Sequence, residues 1–413
     1  MCDCSSVYSS VSIFFQVSSV PRPRMPSKLQ TICQFAIPNT SAGPAYCRGI
    51  KLTADGSFAG VYSSDDVLRF RPLSFESEEE VLGQTDSAAF SPGGDIFDFD
   101  FFPGHLAAAS ETRCCIVSSR RRPVQLVSTI SGQVASAYIG LSQVDEIIHP
   151  LSVRFSRNGA RICGGFDNSQ IKLWDVQRPG NAIADITLAT RKQKASEEIQ
   201  RGHIGSIAWR DSDSVVFAGS YKGSVFQHDF RQKESGAVLH SQRRIFSSEN
   251  SPLGGVTMLQ YVPQTQLLVS GHRGSRDKCL RVWDMRNVNE PLMELPRITT
   301  TYQRYEFAIV NSRYLVSGDG LGELTLFDLE TDGSILGQWK IASGPIPAVA
   351  ATLWPSAANR LCVISGSGCR EYPDYPDSGD ENPRSDSRKR YRSAESAPTP
   401  ISRNHILLHS IEL

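Results

Sequence analysis

Short apolar runs alternate with small-residue turns along most of this chain, and one phrase keeps returning. Ile171-Lys172-Leu173-Trp174-Asp175 recurs as Leu280-Arg281-Val282-Trp283-Asp284, as Leu324-Thr325-Leu326-Phe327-Asp328 and, more weakly, as Ser224-Val225-Phe226-Gln227-His228-Asp229. Each copy follows a turn rich in Gly, Ser or Asp: 164–168, 219–223, 270–272 and 317–320. Val215 to Ser220 reads as an apolar strand ending in small residues, Lys222-Gly223 as a tight turn, and Ser224 to Asp229 as the next strand. Upstream, Ile204-Gly205-Ser206-Ile207-Ala208-Trp209 has the alternation of an innermost strand. One such repeat cannot bury its own faces. Several must stack radially, which predicts an all-β propeller.

The final Trp, His or Phe of successive copies recurs every roughly 45–55 residues, the period of WD-repeat blades. Reading the rest of the chain at that period predicts seven blades. Blade 1 spans about Tyr46 to Pro72, and blade 2 takes in Phe97 to Phe102 and Pro123 to Val127. Blade 3 runs from about Leu151 to Asp175, and blades 4, 5 and 6 end at Asp229, Asp284 and Asp328. Blade 7 holds Pro347 to Ala351 and Leu361 to Ser365, with His405 to His409 as a late strand returning to the sheet. Blades 1 and 2 are degenerate. Residues 1–28 are Ser/Pro-rich and are expected to be disordered. The propeller domain is placed at 29–413. Its insertion at 374–402 is poor in aliphatic residues and rich in Pro, Ser, Asp and Arg, so it is expected to be disordered as well. Within that insertion, Arg388-Lys389-Arg390-Tyr391-Arg392 is a candidate nuclear import signal.

The repeat also assigns roles. Trp174, Trp283, Phe327 and His203 read as core residues, with His203 a hydrogen-bond partner inside its blade. In such blades this histidine and a following Ser or Thr reach the third-strand Trp. His228 occupies that position in blade 4, so the network there must be altered. No phosphate loop, His-Glu-x-x-His or Gly-x-Ser-x-Gly elbow is present, and Gly318-Asp319-Gly320-Leu321-Gly322 lies between strands rather than opening a helix. No catalytic residue, cofactor or metal site is expected.

Composition changes the picture only modestly. Lys plus Arg and Asp plus Glu are both 43, so the net charge is zero, and the pI is near 7.1. Any RNA surface must then be a local patch. Ten cysteines are scattered without zinc spacing, as expected of free thiols in a reducing compartment. The run Val11-Ser12-Ile13-Phe14-Phe15 lacks a basic leader and is too short for a signal or membrane-spanning segment.

An ordered set of segments resembles the telomerase Cajal body protein family. Asp65-Asp66-Val67-Leu68-Arg69 resembles its first-blade strand. Ser118-Ser119-Arg120 followed by Pro123-Val124-Gln125-Leu126 resembles its second. Cys163-Gly164-Gly165-Phe166-Asp167 with Arg178-Pro179-Gly180, the turn Gly219-Ser220-Tyr221, Thr300-Thr301-Tyr302-Gln303-Arg304, and Tyr372-Pro373 with Ser378-Gly379-Asp380-Glu381 resemble later segments in the same order. The likeness runs from about Tyr46 to Glu381. Two departures stand out: Ser251-Pro252-Leu253-Gly254-Gly255 replaces a Gly-His at blade 5, and Val127-Ser128 replaces Trp-Asp in blade 2.

The resemblance implies a non-enzymatic RNA-binding propeller. Such a protein recognises small Cajal body RNAs of the H/ACA type through a CAB-box loop, telomerase RNA among them, and directs the particle to nuclear Cajal bodies alongside H/ACA ribonucleoprotein proteins. No membrane or small-molecule substrate is implied. A single-stranded loop needs cations for phosphate and flat groups for bases. The candidates are Arg273, Arg276 and Lys278 in the blade 5 turn, Tyr221 and Lys222 in the blade 4 turn, Tyr302, Arg304 and Tyr305 before blade 6, and Arg120 and Arg121 in blade 2. The competing reading is a protein scaffold. Trp283-Asp284-Met285-Arg286 and His228-Asp229-Phe230-Arg231 carry the Asp-x-Arg ending found in substrate receptors of cullin-RING ubiquitin ligases.

Overall fold

The computed structural model describes residues 29–37, 45–75, 86–105, 112–189, 199–210, 213–231, 241–246, 254–274, 278–369 and 405–413. The segment 1–28, the insertion 374–402 with its basic run, and Arg276 lie outside the described residues. Seven antiparallel sheets form the seven blades of a β-propeller. Blade 1 consists of Cys47–Leu52, Phe58–Ser63, Leu68–Pro72 and Ala88–Phe90. Blade 2 consists of Ile96–Phe101, Cys114–Ser119, Val124–Ser128 and Val134–Ile139, with Gly180–Asn181 added in parallel at its outer edge. Blade 3 consists of Ser152–Phe155, Arg161–Gly165, Gln170–Asp175 and Ala184–Thr187. Blade 4 consists of Ile204–Trp209, Val215–Ser220, Val225–Asp229 and Ser241–Phe246. Blade 5 consists of Val256–Val262, Leu267–His272, Cys279–Asp284 and Met293–Pro296. Blade 6 consists of Phe307–Val310, Tyr314–Gly318, Glu323–Asp328 and Ser334–Lys340.

Blade 7 is assembled from both ends of the chain. Ala348–Trp354 and Ala357–Gly366 pair in sequence, His405–Glu412 returns as the third strand, and Gln30–Ala36 is the fourth. Ala36 faces His405 and Gln30 faces Ser410 in the outermost pair. The N-terminal strand thereby covers the edge that the third strand would otherwise leave unpaired. The returning strand follows the expected placement. Its N-terminal partner strand is an addition, since it lies within 29–413 but carries no copy of the repeat.

Packing follows the repeat. Trp174, Phe327 and Trp283 are buried, and each strand sandwich closes against the next blade. Phe327 packs with Leu280, Val282, Leu295 and Leu315, a cluster shared by blades 5 and 6. Trp174 donates its Nε1 to the carbonyl of Ile139 at 3.0 Å, tying blade 3 to blade 2. Burying a side chain of this size stabilises by about 1.5–3 kcal/mol. In blade 2 the buried Val127, opposite Cys115, takes the register position of Trp174, whereas in blade 1 that position, opposite Ala59, is held by Arg71, and the buried Phe70 stands one residue earlier. Both form full four-stranded sheets, so Trp at this position is not required for the blade.

The hydrogen-bond networks correct one expectation. His203 is exposed and is not a core residue. Its Nδ1 pairs with the carbonyl of Asp167 on the blade 3 turn, and its ring lies edge-on to Tyr221 at 6.0 Å. The reason lies at the third strand. His228 is shorter than Trp and pairs through Nε2 with Gln200 Oε1 at 2.7 Å, while Gln200 Nε2 donates to Ala218 O at 2.7 Å. Gln200 occupies the interior place and His203 is left at the rim. Blade 5 solves the loss of its Gly-His differently. His272, at the end of the second strand, pairs with Ser270 Oγ at 3.1 Å, and Ser270 accepts from Trp283 Nε1 at 3.1 Å.

Candidate nucleic-acid interface

In a four-stranded meander, the turn between strands two and three and the connection to the next blade emerge on the same face. The candidate residues all sit on such segments, so topology alone gathers them on one face of the ring. The chain also leaves blade 7 at Cys369 and re-enters at His405 on that face.

Three of the candidates are brought together. The Arg273 guanidinium lies 3.8 Å from the centre of the Tyr221 ring, joining the turns of blades 5 and 4. Arg273 is held by its backbone, which donates to Gly255 O at 3.0 Å. The Tyr221 ring lies against Gly205, where an added Cβ would stand 1.9 Å from Cε1, so glycine is required for this approach. Tyr302 is 77% exposed and leans over Gly274, with Cε1 3.3 Å from where a Cβ would stand. Gly274 has φ +96°, a conformation that glycine adopts without steric penalty. Thr299 Oγ1 donates to Gly274 O at 2.9 Å and Arg297 Nη2 to His272 O at 3.2 Å, fixing the Tyr302 segment on the blade 5 turn. Lys222 and Lys278 are exposed on the same two turns.

The other candidates lie elsewhere. Arg120 and Arg121 are exposed on the blade 2 turn. Arg120 pairs with Asp95 at 2.7 Å, and the Arg121 amide donates to His149 Nδ1 at 3.1 Å. Tyr305 is fully buried, with its hydroxyl 3.0 Å from Thr301 Oγ1, so its ring has no open face. Arg304 points inward and its side chain is only 13% exposed.

Arg304 enters a polar hub that the repeat pattern did not reveal. Asp98 is completely buried on the innermost strand of blade 2, just after a bulge between Ile96 and Asp98. A bulge of this kind re-aims the side chains that follow it. Asp98 receives Lys51 Nζ at 2.8 Å, Arg154 Nη1 at 2.6 Å and Arg304 Nη1 at 3.2 Å, together with Ser152 Oγ at 3.0 Å and the Val153 amide at 3.1 Å. The three cations hold its carboxyl far below the usual carboxylate range despite burial. Arg304 also donates from Nη2 to Leu151 O at 3.1 Å and Gly205 O at 3.0 Å. One side chain from the segment before blade 6 thus reaches blades 2 and 4 and the strand entry of blade 3. Glu306, two residues on, accepts the Ile50 amide at 2.9 Å, and burial pushes its carboxyl up to about 7. The sequence signal for this hub is the run Ile96-Phe97-Asp98-Phe99-Asp100-Phe101, whose alternation puts two acids on the side opposite three aromatic rings.

The ring of seven blades defines a WD-repeat β-propeller. The family model described as "WD domain, G-beta repeat" matches residues 242–284. Telomerase Cajal body protein 1 of Bos taurus is 26% identical over 349 residues, covering 81% of this chain and 60% of that protein. The Homo sapiens protein of the same name is 27% identical over 344 residues, covering 81% and 59%. The Drosophila melanogaster homolog is 28% identical over 278 residues, covering 66% and 46%. Over 81% of its length the chain is similar to these mammalian telomerase Cajal body proteins. It spans about 60% of the length of the mammalian relatives it matches.

Proposed function

We propose that this propeller is a non-enzymatic RNA-binding protein. In this reading it takes small Cajal body RNAs of the H/ACA type, telomerase RNA among them, by a CAB-box loop and directs the ribonucleoprotein to nuclear Cajal bodies. The observation that carries the reading is the platform of Tyr221, Arg273 and Tyr302. A guanidinium stacked on one ring beside a second, freely exposed ring supplies cation and flat surface together. Lys222 and Lys278 flank it as phosphate contacts. The likeness to the telomerase Cajal body proteins supports the same reading. The buried Tyr305 and the inward-facing Arg304 support the platform from beneath and make no contact with RNA.

Crosslinking the protein to RNA in cells and sequencing what is recovered tests this. Small H/ACA RNAs carrying the loop motif are expected. Recovery of a ubiquitin-ligase adaptor without RNA would favour the scaffold reading. The two Asp-x-Arg endings lie on the opposite face, where Arg286 pairs with Asp284 at 2.7 Å and Arg231 with Asp229 at 2.9 Å.

A further inference from the structure

The centre of the ring holds a cavity of about 590 Å³. Its walls reach Thr53-Ala54, Asn311 and Thr352-Leu353, where the innermost strands end, so its mouth lies on the face opposite the platform. The hub around Asp98 lies at its other end. Blades 1 to 3 contribute Lys51, Asp100 and Arg154, and blades 5 to 7 contribute the apolar Met258, Ile309 and Ala351 beside Gln260, Glu306 and Asn311. A volume of this size is that of a small-ligand site, within the range of roughly 300–1,000 Å³.

Arg154 is the informative residue. It donates to Asp98 Oδ2 at 2.6 Å and to Val153 O at 2.6 Å, both through Nη1. The edge formed by Nε and Nη2 has no protein partner among the described residues, in a side chain that lines the cavity. Lys51, by contrast, is occupied by Asp98 and the carbonyl of Phe99. A guanidinium edge of this kind grips a two-oxygen anion through parallel hydrogen bonds.

We propose that the cavity binds a small amphipathic carboxylate, its acid group on the Nε–Nη2 edge of Arg154 and its apolar body against Met258, Ile309 and Ala351. Charge supports this assignment. Lys51, Arg154 and Arg304 face Asp98, Asp100 and Glu306. Burial raises the carboxyls of Asp100 and Glu306, the latter to about 7, which weakens the repulsion an incoming carboxylate meets, and it lowers the ammonium of Lys51, which leaves Arg154 as the lasting cation in the cavity wall. The site is separate from the RNA platform and does not depend on the RNA reading.

The test uses the full chain with 4-phenylbutyrate and its uncharged counterpart 4-phenylbutanol, followed by ligand-observed NMR and calorimetry. The acid is expected to bind saturably and at least about tenfold more tightly than the alcohol. Ile309→Trp fills the apolar wall away from the ion pairs and should abolish binding while leaving RNA capture unchanged. Arg154→Lys keeps a cation beside Asp98 but lacks the fork, and should weaken the acid at least about fivefold without changing the alcohol. Equal binding of acid and alcohol, no saturable binding, or wild-type binding by Ile309→Trp would overturn the proposal. If Arg154→Lys does not fold, the acid–alcohol comparison and Ile309→Trp decide it.

Discussion

Arg304 illustrates how one side chain is claimed by the fold before it is available for recognition. It satisfies the buried Asp98 carboxylate and two backbone carbonyls that have left water. Arg304→Ala leaves Asp98 two of its three cations but orphans both carbonyls. The expected cost is roughly 2–3 kcal/mol, measured by urea denaturation. Arg304→Lys should recover only part of it, because an ammonium cannot span the same three acceptors. A fully stable Arg304→Ala protein would show that the hub is not under this load. The pH profile offers a second check. Glu306 has its carboxyl raised from 4.5 to about 7, so between those values the folded state holds more protons than the unfolded one, and stability falls as pH rises. His409 works the other way. Burial lowers it from 6.5 to about 4, so the unfolded state holds more protons over that span and stability rises with pH. His105 and His149 are lowered in the same direction by burial. In the wild type these contributions oppose one another between about 4.5 and 6.5. Glu306→Gln removes the falling contribution, so its stability should climb more steeply toward pH 6.5 than the wild type's, measured by denaturation at several pH values. Parallel profiles for the two proteins would refute the assignment.

Among elements, the third strand of blade 7 carries the closure. His405–Glu412 pairs with Ala357–Gly366 on one side and Gln30–Ala36 on the other, and Leu408 and Ile411 are fully buried. Deleting residues 404–413 should therefore cost more than deleting 30–36. The first removal leaves two strands without partners, whereas the second only opens an outer edge. Comparing melting temperature and oligomeric state of the two truncations checks the order; equal melting temperatures would remove the closing role. The returning strand was legible because Ile406, Leu407 and Leu408 form an apolar run after a polar stretch. Its partner was not, because Gln30–Ala36 owes its strand to a register 378 residues distant, as between Thr31 and His409. The third strands ending in Trp-Asp were likewise plain, since a period of two and a buried aromatic ring are local properties. The exchange of His203 for Gln200 was not local. It follows from the size of His228 across the sheet, and only the altered network, not its new member, could be read from the chain. Arg304 and Tyr305 read as surface residues because they stand between polar neighbours, yet the hub draws one inward and the blade interface buries the other.

For the whole molecule, the propeller turns a neutral chain into one with a directed surface. Net charge is zero, so in the proposed RNA-binding reading long-range attraction is weak and local contacts must supply the affinity. What remains is the convergence of the turns of blades 4 and 5 with the segment before blade 6, which sets Arg273 against Tyr221 and leaves Tyr302 exposed beside them. Loss of a stacked base costs roughly 1–3 kcal/mol, and loss of one phosphate contact lowers the salt slope of a single-stranded RNA by about 0.7. Arg273→Ala combined with Tyr302→Ala should therefore weaken binding to a CAB-box hairpin by at least about tenfold, with a shallower salt dependence. Stability should change little, since Tyr302 is exposed and the Arg273–Tyr221 contact is worth only about 0.5–1 kcal/mol at a surface. Adding Arg276→Ala tests the neighbouring charge of the same turn. Arg231→Ala with Arg286→Ala, on the opposite face, should bind the hairpin like the wild type. If the platform mutant binds normally at low and high salt while Arg120→Ala with Arg121→Ala does not, the RNA surface lies over blade 2. The stacked arginine of blade 5 would then serve only to join two turns.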